Sequence, residues 1–194
     1  MAAQVATAPK GLAMNPSASI GTQATNLRAS DAAAASAHQH ARDAYPFAIV
    51  LTDTGFSAGG LQFPAAVTAS TRSALMVRLA EVLALHVADA LVSGATLEPP
   101  LAPAALDLGD YTAEGLQPEV VYVRPAPVSD ASIAIAQALR DDGVSAAELA
   151  RRMGVPRSVI SRLTDPLYFG HSTRTLRGVA AALDRTLTIA LEPT

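Results

Sequence analysis

Residues 144–163 read VSAAELARRMGVPRSVISRL, and nearly every position in them carries a local structural meaning. Ser145 followed three residues later by Glu148 predicts a capping box, the serine oxygen taking one free amide and the glutamate reaching back to another. Leu149, Ala150 and Met153 then share an inward face, while Arg151 and Arg152 complement the negative end of the helix dipole. Gly154 predicts a left-handed stop. Pro156 falls near the first position of the next helix, where an amide would be unpaired anyway. In that second helix Val159, Ile160 and Leu163 point inward, and Arg157, Ser158, Ser161 and Arg162 take the outer face. Two short helices joined at a glycine, the second armed with arginine, predict a helix-turn-helix. Its first helix crosses a nucleic-acid backbone and its second lies in the major groove. Arginine can pair with guanine through two hydrogen bonds, worth about 1–3 kcal/mol of discrimination per base pair. The expected DNA contacts are therefore Arg157, Ser158, Ser161 and Arg162, flanked by Ser145 and Thr164. An amphipathic hairpin whose arginines are merely solvated is the competing reading.

The flanks complete a small domain. DASIAIAQALRDDG (130–143) predicts a preceding helix with Ile133, Ala136 and Leu139 inward, and STRTLRGVAAALD (172–184) a following one with Leu176, Val179, Ala180 and Leu183 inward. Between them Thr164, His171, Ser172 and Thr173 are candidates for phosphate contacts, and Tyr168 and Phe169 are expected to pack under the loop. TLTIALE (186–192) alternates Leu187, Ile189 and Leu191 with Thr188 and Ala190, the pattern of a terminal strand. An unpaired strand edge is a liability. Leu187, Ile189 and Leu191 are therefore expected to mediate dimerisation with a second copy, or else to join the first domain's sheet. A homodimer would match a palindromic operator, with pairing into a tetramer left open. Between residues 140 and 185 lie eight arginines and five acids, against six basic and twelve acidic residues elsewhere. A basic module on an acidic chain fits a footprint on phosphate.

The remainder bounds the function. The 194 residues carry a net charge of −3 and no cysteine, which excludes disulfides, thiolate metal sites and cysteine nucleophiles and suits a reducing, cytoplasmic setting. Residues 1–44, rich in Ala, Ser, Thr and Gln, read as a disordered tail without a secretory signal, and His38 and His40 within it face different ways. YPFAIVLTD (45–53), FSAGGLQF (56–63) and AAVTAS (65–70) predict antiparallel strands. Residues 70–94 predict a long helix with Leu75, Leu79, Val82, Leu83, Val87, Ala90 and Leu91 as its buried stripe, capped by Ser70 or Thr71 and ended by Gly94. Arg78, Glu81, His86 and Asp89 interrupt it, so it is not a membrane span, and His86 is read as a core or interface histidine. VVYVRP (120–125) is a further strand, and PAPVSD a linker. Of the carboxylates here, none takes a defined place beside Asp53, and no serine elbow, phosphate loop or metal-ligand pair appears. A fused metal-dependent nuclease is thus disfavoured; neither catalysis, metal nor cofactor is expected. The fold class is α+β: a disordered tail (1–44), a sheet-plus-helix domain (45–125), a linker (126–130), and an all-α helix-turn-helix domain with a C-terminal strand (131–194).

With these elements in this order, residues 45–192 resemble the HicB family of antitoxins of type II toxin–antitoxin systems, in the branch with a C-terminal Cro-repressor-type helix-turn-helix. The specific part is SAAELARRMGVPRSVISRLTDPLYFGHSTRTLRGVAAALDRTLTIALE; the N-terminal match is one of architecture. The turn after the second strand keeps only Phe63 and Pro64 of the family's pattern, and TRSAL stands where the long helix of the family starts with acids. The resemblance implies a reduced RNase H-like N-terminal fold without catalysis, which binds and neutralises a HicA-type mRNA-cleaving toxin. It also implies a C-terminal domain that represses its own operon. The alternative is a stand-alone helix-turn-helix transcription regulator whose first domain senses a ligand or oligomerises.

Overall fold

The computed structural model describes residue 37 and residues 39–189. The chain is a mixed α+β protein. Three strands, β1 (Tyr45–Thr52), β2 (Gly55–Gly60) and β3 (Ala66–Ala69), precede the helix α1 (Arg72–Ser93). A short helix α2 (Gly109–Ala113) and strand β4 (Glu119–Val123) follow. Four helices end the described chain: α3 (Asp130–Asp141), α4 (Ala146–Met153), α5 (Arg157–Leu163) and α6 (Thr173–Ala182). The sheet has the order β3-β2-β1-β4. Every neighbouring pair is antiparallel. A helical crossover into an adjacent strand commonly delivers a parallel pair. Here the loop 94–118 reverses the chain instead, and β4 meets β1 with Tyr45 opposite Val123 and Ile49 opposite Glu119.

β1 and β4 form where aromatic and β-branched residues concentrate, whereas β2 (GFSAGG) has only Phe56 of these kinds and is held by pairing with β1 and β3 on either side. β1 turns into β2 through Asp53 and Thr54, and Gly55 adopts φ +144°, where a side chain would also strike the Ala69 carbonyl. Thr71 caps α1, its Oγ1 accepting from the Ala74 amide at 3.2 Å, and Gly94 ends it in the left-handed region. Leu75, Leu79, Leu83 and Val87, all without solvent exposure, lay α1 on Tyr45, Phe47, Ile49, Ala58 and Val67 of the sheet. Each such leucine is worth about 1.5–3 kcal/mol in transfer terms.

The opposite sheet face is covered in part. Ala48 and its cross-strand partner Gly59 share that face, and the Tyr111 hydroxyl of α2 lies where a Gly59 Cβ would stand. The loop is pinned by Gln62, which donates to the Pro99 carbonyl at 2.8 Å and accepts from the Leu101 amide at 2.9 Å. Tyr122 Oη donates to the Leu101 carbonyl at 2.8 Å. Sequence periodicity did not predict α2, whose five residues span little more than one turn.

A second apolar cluster joins Ile135, Ala138 and Leu139 of α3 to Leu149, Ala150, Ile160, Leu163, Val179 and Leu183. α3 serves both clusters, since Ile133 belongs to the first. Gln137 Nε2 donates to the Leu91 carbonyl at 2.9 Å, and Arg140 donates to that of Val92, satisfying carbonyls at the end of α1.

Three expectations need correction. The segment expected as tail to residue 44 is partly packed: Ala37 is fully buried in the first cluster, Ala41 lies against it, and His40 Nδ1 is 2.6 Å from Asp43 Oδ2. Residues 1–36 and His38 lie outside the described residues. His86 is exposed rather than in the core, although its ring stacks on Phe63 with centroids 4.6 Å apart. Residues 185–189 form no strand, because no sheet edge among the described residues pairs with them. Leu187 is half-buried beside a groove of about 610 Å³ between α3 and α6, Ile189 is 63% exposed, and Leu191 lies outside the described residues.

Candidate nucleic-acid interface

The motif begins at Ser145, whose Oγ accepts from the Glu148 amide at 3.1 Å. The reciprocal half of the expected capping box is not made. The Glu148 carboxylate instead takes Arg151 through Nε and Nη2, and Arg152 through Nε, each at 2.8 Å. Charge-assisted bonds to guanidinium outweigh one to a neutral amide. The hydrogen bonds from Arg151, then those from Arg152, hold the Glu148 carboxyl down at about 2. Gly154 has φ 65° and ψ 31°, and its amide and that of Val155 close the end of α4 on the Arg151 and Ala150 carbonyls. A side chain at Gly154 would meet open space, so the backbone angle alone calls for glycine.

Pro156 stands next to the first helical position, as the sequence places it. It is the cap of α5, with an extended backbone, and Arg157 is the first helical residue. Ile160 and Leu163 are buried, whereas Val159, expected inward, is 37% exposed. Successive helical residues are separated by about 100°, so a seven-residue helix seated on Ile160 and Leu163 turns Val159 aside.

Arg157, Ser158, Ser161 and Arg162 are all exposed. Neither arginine makes an ion pair among the described residues; Arg162 lies 6.0 Å from the Tyr168 ring centroid, at the limit of a cation–π contact. The other arginines divide cleanly. Arg151 and Arg152 share Glu148, and Arg185 holds Asp142 at 2.8 Å and Asp141 at 3.8 Å. Arg174 and Arg177, one turn apart on α6, are exposed and also lack an ion pair among the described residues. Residue counting could not separate the paired arginines from the unpaired ones.

The remaining expected contacts vary. The Ser145 oxygen acts as a helix cap, which leaves its proton available to a phosphate. The half-buried Thr164 directs its hydroxyl to the Ile160 and Ser161 carbonyls at 3.1 and 3.3 Å, so its proton is engaged. Ser172 caps α6 through the Thr175 amide. His171 is turned inward to Ser132 and Leu163 rather than to solvent, which removes it from the phosphate-contact candidates. Tyr168 packs against the second cluster, but Phe169, expected beside it, is 62% exposed. Donation from Tyr168 Oη to the Gly170 carbonyl folds the loop so that Phe169 is left outside.

Elsewhere Asp53 occupies the exposed β1–β2 turn and Glu119 pairs with Arg72. Among the described residues no three His, Asp or Glu side chains converge as a metal site, and no helix is long and apolar enough to cross a membrane. No protein-family model matches the chain, and no curated protein does.

Proposed function

We propose that the chain is a cytoplasmic antitoxin of the HicB kind, which binds a HicA-type toxin and represses its own operon as a dimer on palindromic DNA. The observation that carries the DNA-binding half is the sorting of arginines around α4 and α5. Those of α4 are both held by the one carboxylate of Glu148, and those of α5 stand exposed without an ion pair, outside the buried Ile160 and Leu163. Such a face suits base edges and phosphates. The toxin-binding half rests on the order strand–strand–strand–helix–strand alone, and the antiparallel entry of β4 gives its RNase H-like element no further support. Dimerisation through Leu187, Ile189 and Leu191 is part of the same proposal.

A second reading, a stand-alone regulator that senses a ligand, is favoured by a groove of about 910 Å³. It runs along residues 124–128 and is walled by Arg42, Arg124, Leu91 and Ile133. Of two experiments, the first tests the DNA binding that both readings share and the second separates them. Selection of duplexes from a random pool by the full-length protein should yield one palindromic sequence; recovery of random sequence would refute operator recognition. Co-expression with the product of a small basic reading frame beside the gene should rescue growth from a toxic neighbour in a stable complex. A harmless or non-binding neighbour would refute the antitoxin and leave the regulator.

A further inference from the structure

α5 is short, and Pro156 offers no side-chain bond at its start. Beside the packing of Ile160 and Leu163, the partners of its last four carbonyls are what tie it to its surroundings. The Ile160 carbonyl is taken by the Thr164 amide and hydroxyl, that of Ser161 by the Thr164 hydroxyl, and that of Arg162 by the Asp165 amide. Each of these bonds closes within the adjoining residues. The Leu163 carbonyl is different, because its partner is His171 Nε2 at 3.1 Å, across the loop. The same Nε2 lies 3.2 Å from Oγ of Ser132, a residue of α3 with no solvent exposure.

The carbonyl fixes the proton. Leu163 O can only accept, so Nε2 carries hydrogen and shares it with the Ser132 oxygen. Ser132 then donates its own proton to the Tyr168 carbonyl at 3.4 Å. The Tyr168 ring meets the His171 ring edge-on, with centroids 5.0 Å apart, and Arg162 Cζ lies over the Tyr168 ring at 6.0 Å from its centroid. One imidazole thus touches the end of α5, the helix behind it, and the ring beneath an exposed arginine.

We propose that His171 is a positioning residue that sets the pose of α5, and with it the direction of Arg162, without itself touching DNA. The functional part of this inference rests on the DNA-binding reading; the mechanical part does not. The test compares full-length wild type with His171→Leu, His171→Gln and Ser132→Ala. Amide hydrogen exchange is read over α5, and affinity is read on a duplex enriched by the wild type and on a scrambled one. Loss of the bond in His171→Leu should speed exchange in α5 tenfold or more while α1 is unchanged. It should also weaken the enriched duplex about tenfold and the scrambled one less than twofold. Glutamine, whose Nε2 can still donate to Leu163, should restore most of both effects. Ser132→Ala should reproduce part of each and guards against a variant that fails to fold. Unchanged exchange in α5, equal losses on both duplexes, or no rescue by glutamine would overturn the proposal. If the wild type enriches no sequence yet exchange responds as stated, the DNA reading fails and the positioning role of His171 stands.

Discussion

Replacing Arg157 or Arg162 by alanine, beside Arg151→Ala, tests whether unpaired guanidinium groups carry the recognition of DNA. Arg157 and Arg162 bond to no carboxylate among the described residues, so DNA binding need not first break an ion pair. A bidentate base contact is worth about 1–3 kcal/mol, roughly 5- to 150-fold in affinity, and a phosphate contact contributes about 0.9 to the salt slope. Arg151 differs, because both its Nε and its Nη2 are held by Glu148 at 2.8 Å. Its removal changes only the local field, screened over about 8 Å at physiological salt. Arg157→Ala and Arg162→Ala should each weaken an enriched duplex within that range, and Arg151→Ala by less than about threefold. Fluorescence anisotropy on enriched and scrambled duplexes across a salt series measures all three. A loss confined to the enriched duplex marks base readout, and a loss on both with a shallower salt slope marks a phosphate contact. If Arg151→Ala loses as much as Arg157→Ala, or if both α5 variants bind as wild type, the reasoning from arginine pairing is refuted.

Other expectations concern the scaffold. Gly59→Ala puts a Cβ within 2.5 Å of the Tyr111 hydroxyl, the tip of a half-buried side chain that can swing aside, and should cost about 1 kcal/mol. In a Tyr111→Phe background the nearest ring carbon is 3.8 Å away, so the cost measured by urea denaturation should largely vanish; an undiminished cost would mean that α2 does not cover the sheet. Leu149→Ala, at a site without solvent exposure, should cost about 2–5 kcal/mol in the same assay, and a smaller loss would deny it the centre of the second cluster. Glu148 has its carboxyl lowered to about 2, chiefly by hydrogen bonds from Arg151 and then Arg152. A depressed carboxyl contributes stability above its unfolded value, lost as pH falls towards the folded one. The melting difference between wild type and Glu148→Gln should therefore be present at neutral pH and fade between about pH 4.5 and pH 2. A difference constant with pH would refute the pairing.

What was legible in the sequence was local. Thr71, Gly94, Ser145 and Gly154 mark helix ends through their own backbone angles or oxygens, and all four stand where the sequence places them. The stripe from Leu75 to Leu91 repeats on the helical period along most of the 22-residue α1, long enough for the period to speak for itself. Illegible features depend on a competition among neighbouring groups, on how a short helix is seated, or on a partner remote in the chain. The Glu148 carboxylate chose guanidinium groups over an amide, a competition that the spacing Ser145–Glu148 does not reveal. Val159 faces out because α5 is short and seated on two residues only. The burial of Ala37 and the inward turn of His171 depend on other parts of the chain that no nearby pattern announces.

Charge shows the same division and bears most directly on function. A count of residues 140–185 gives a modest positive excess, as if each arginine counted equally. In the fold they do not. Arg151, Arg152 and Arg185 compensate Glu148, Asp142 and Asp141, and Arg140 is turned to the Val92 carbonyl. Within 140–185, the arginines left with neither an ion pair nor a backbone carbonyl partner are Arg157, Arg162, Arg174 and Arg177, on α5 and on the first two turns of α6. A phosphate backbone responds to charge that can release counterions, and an arginine already held by a carboxylate has little of that to offer. The paired arginines stiffen the frame and the unpaired ones define its outer surface. The same net charge spread evenly over α4, α5 and α6 would give a weaker and less directional footprint.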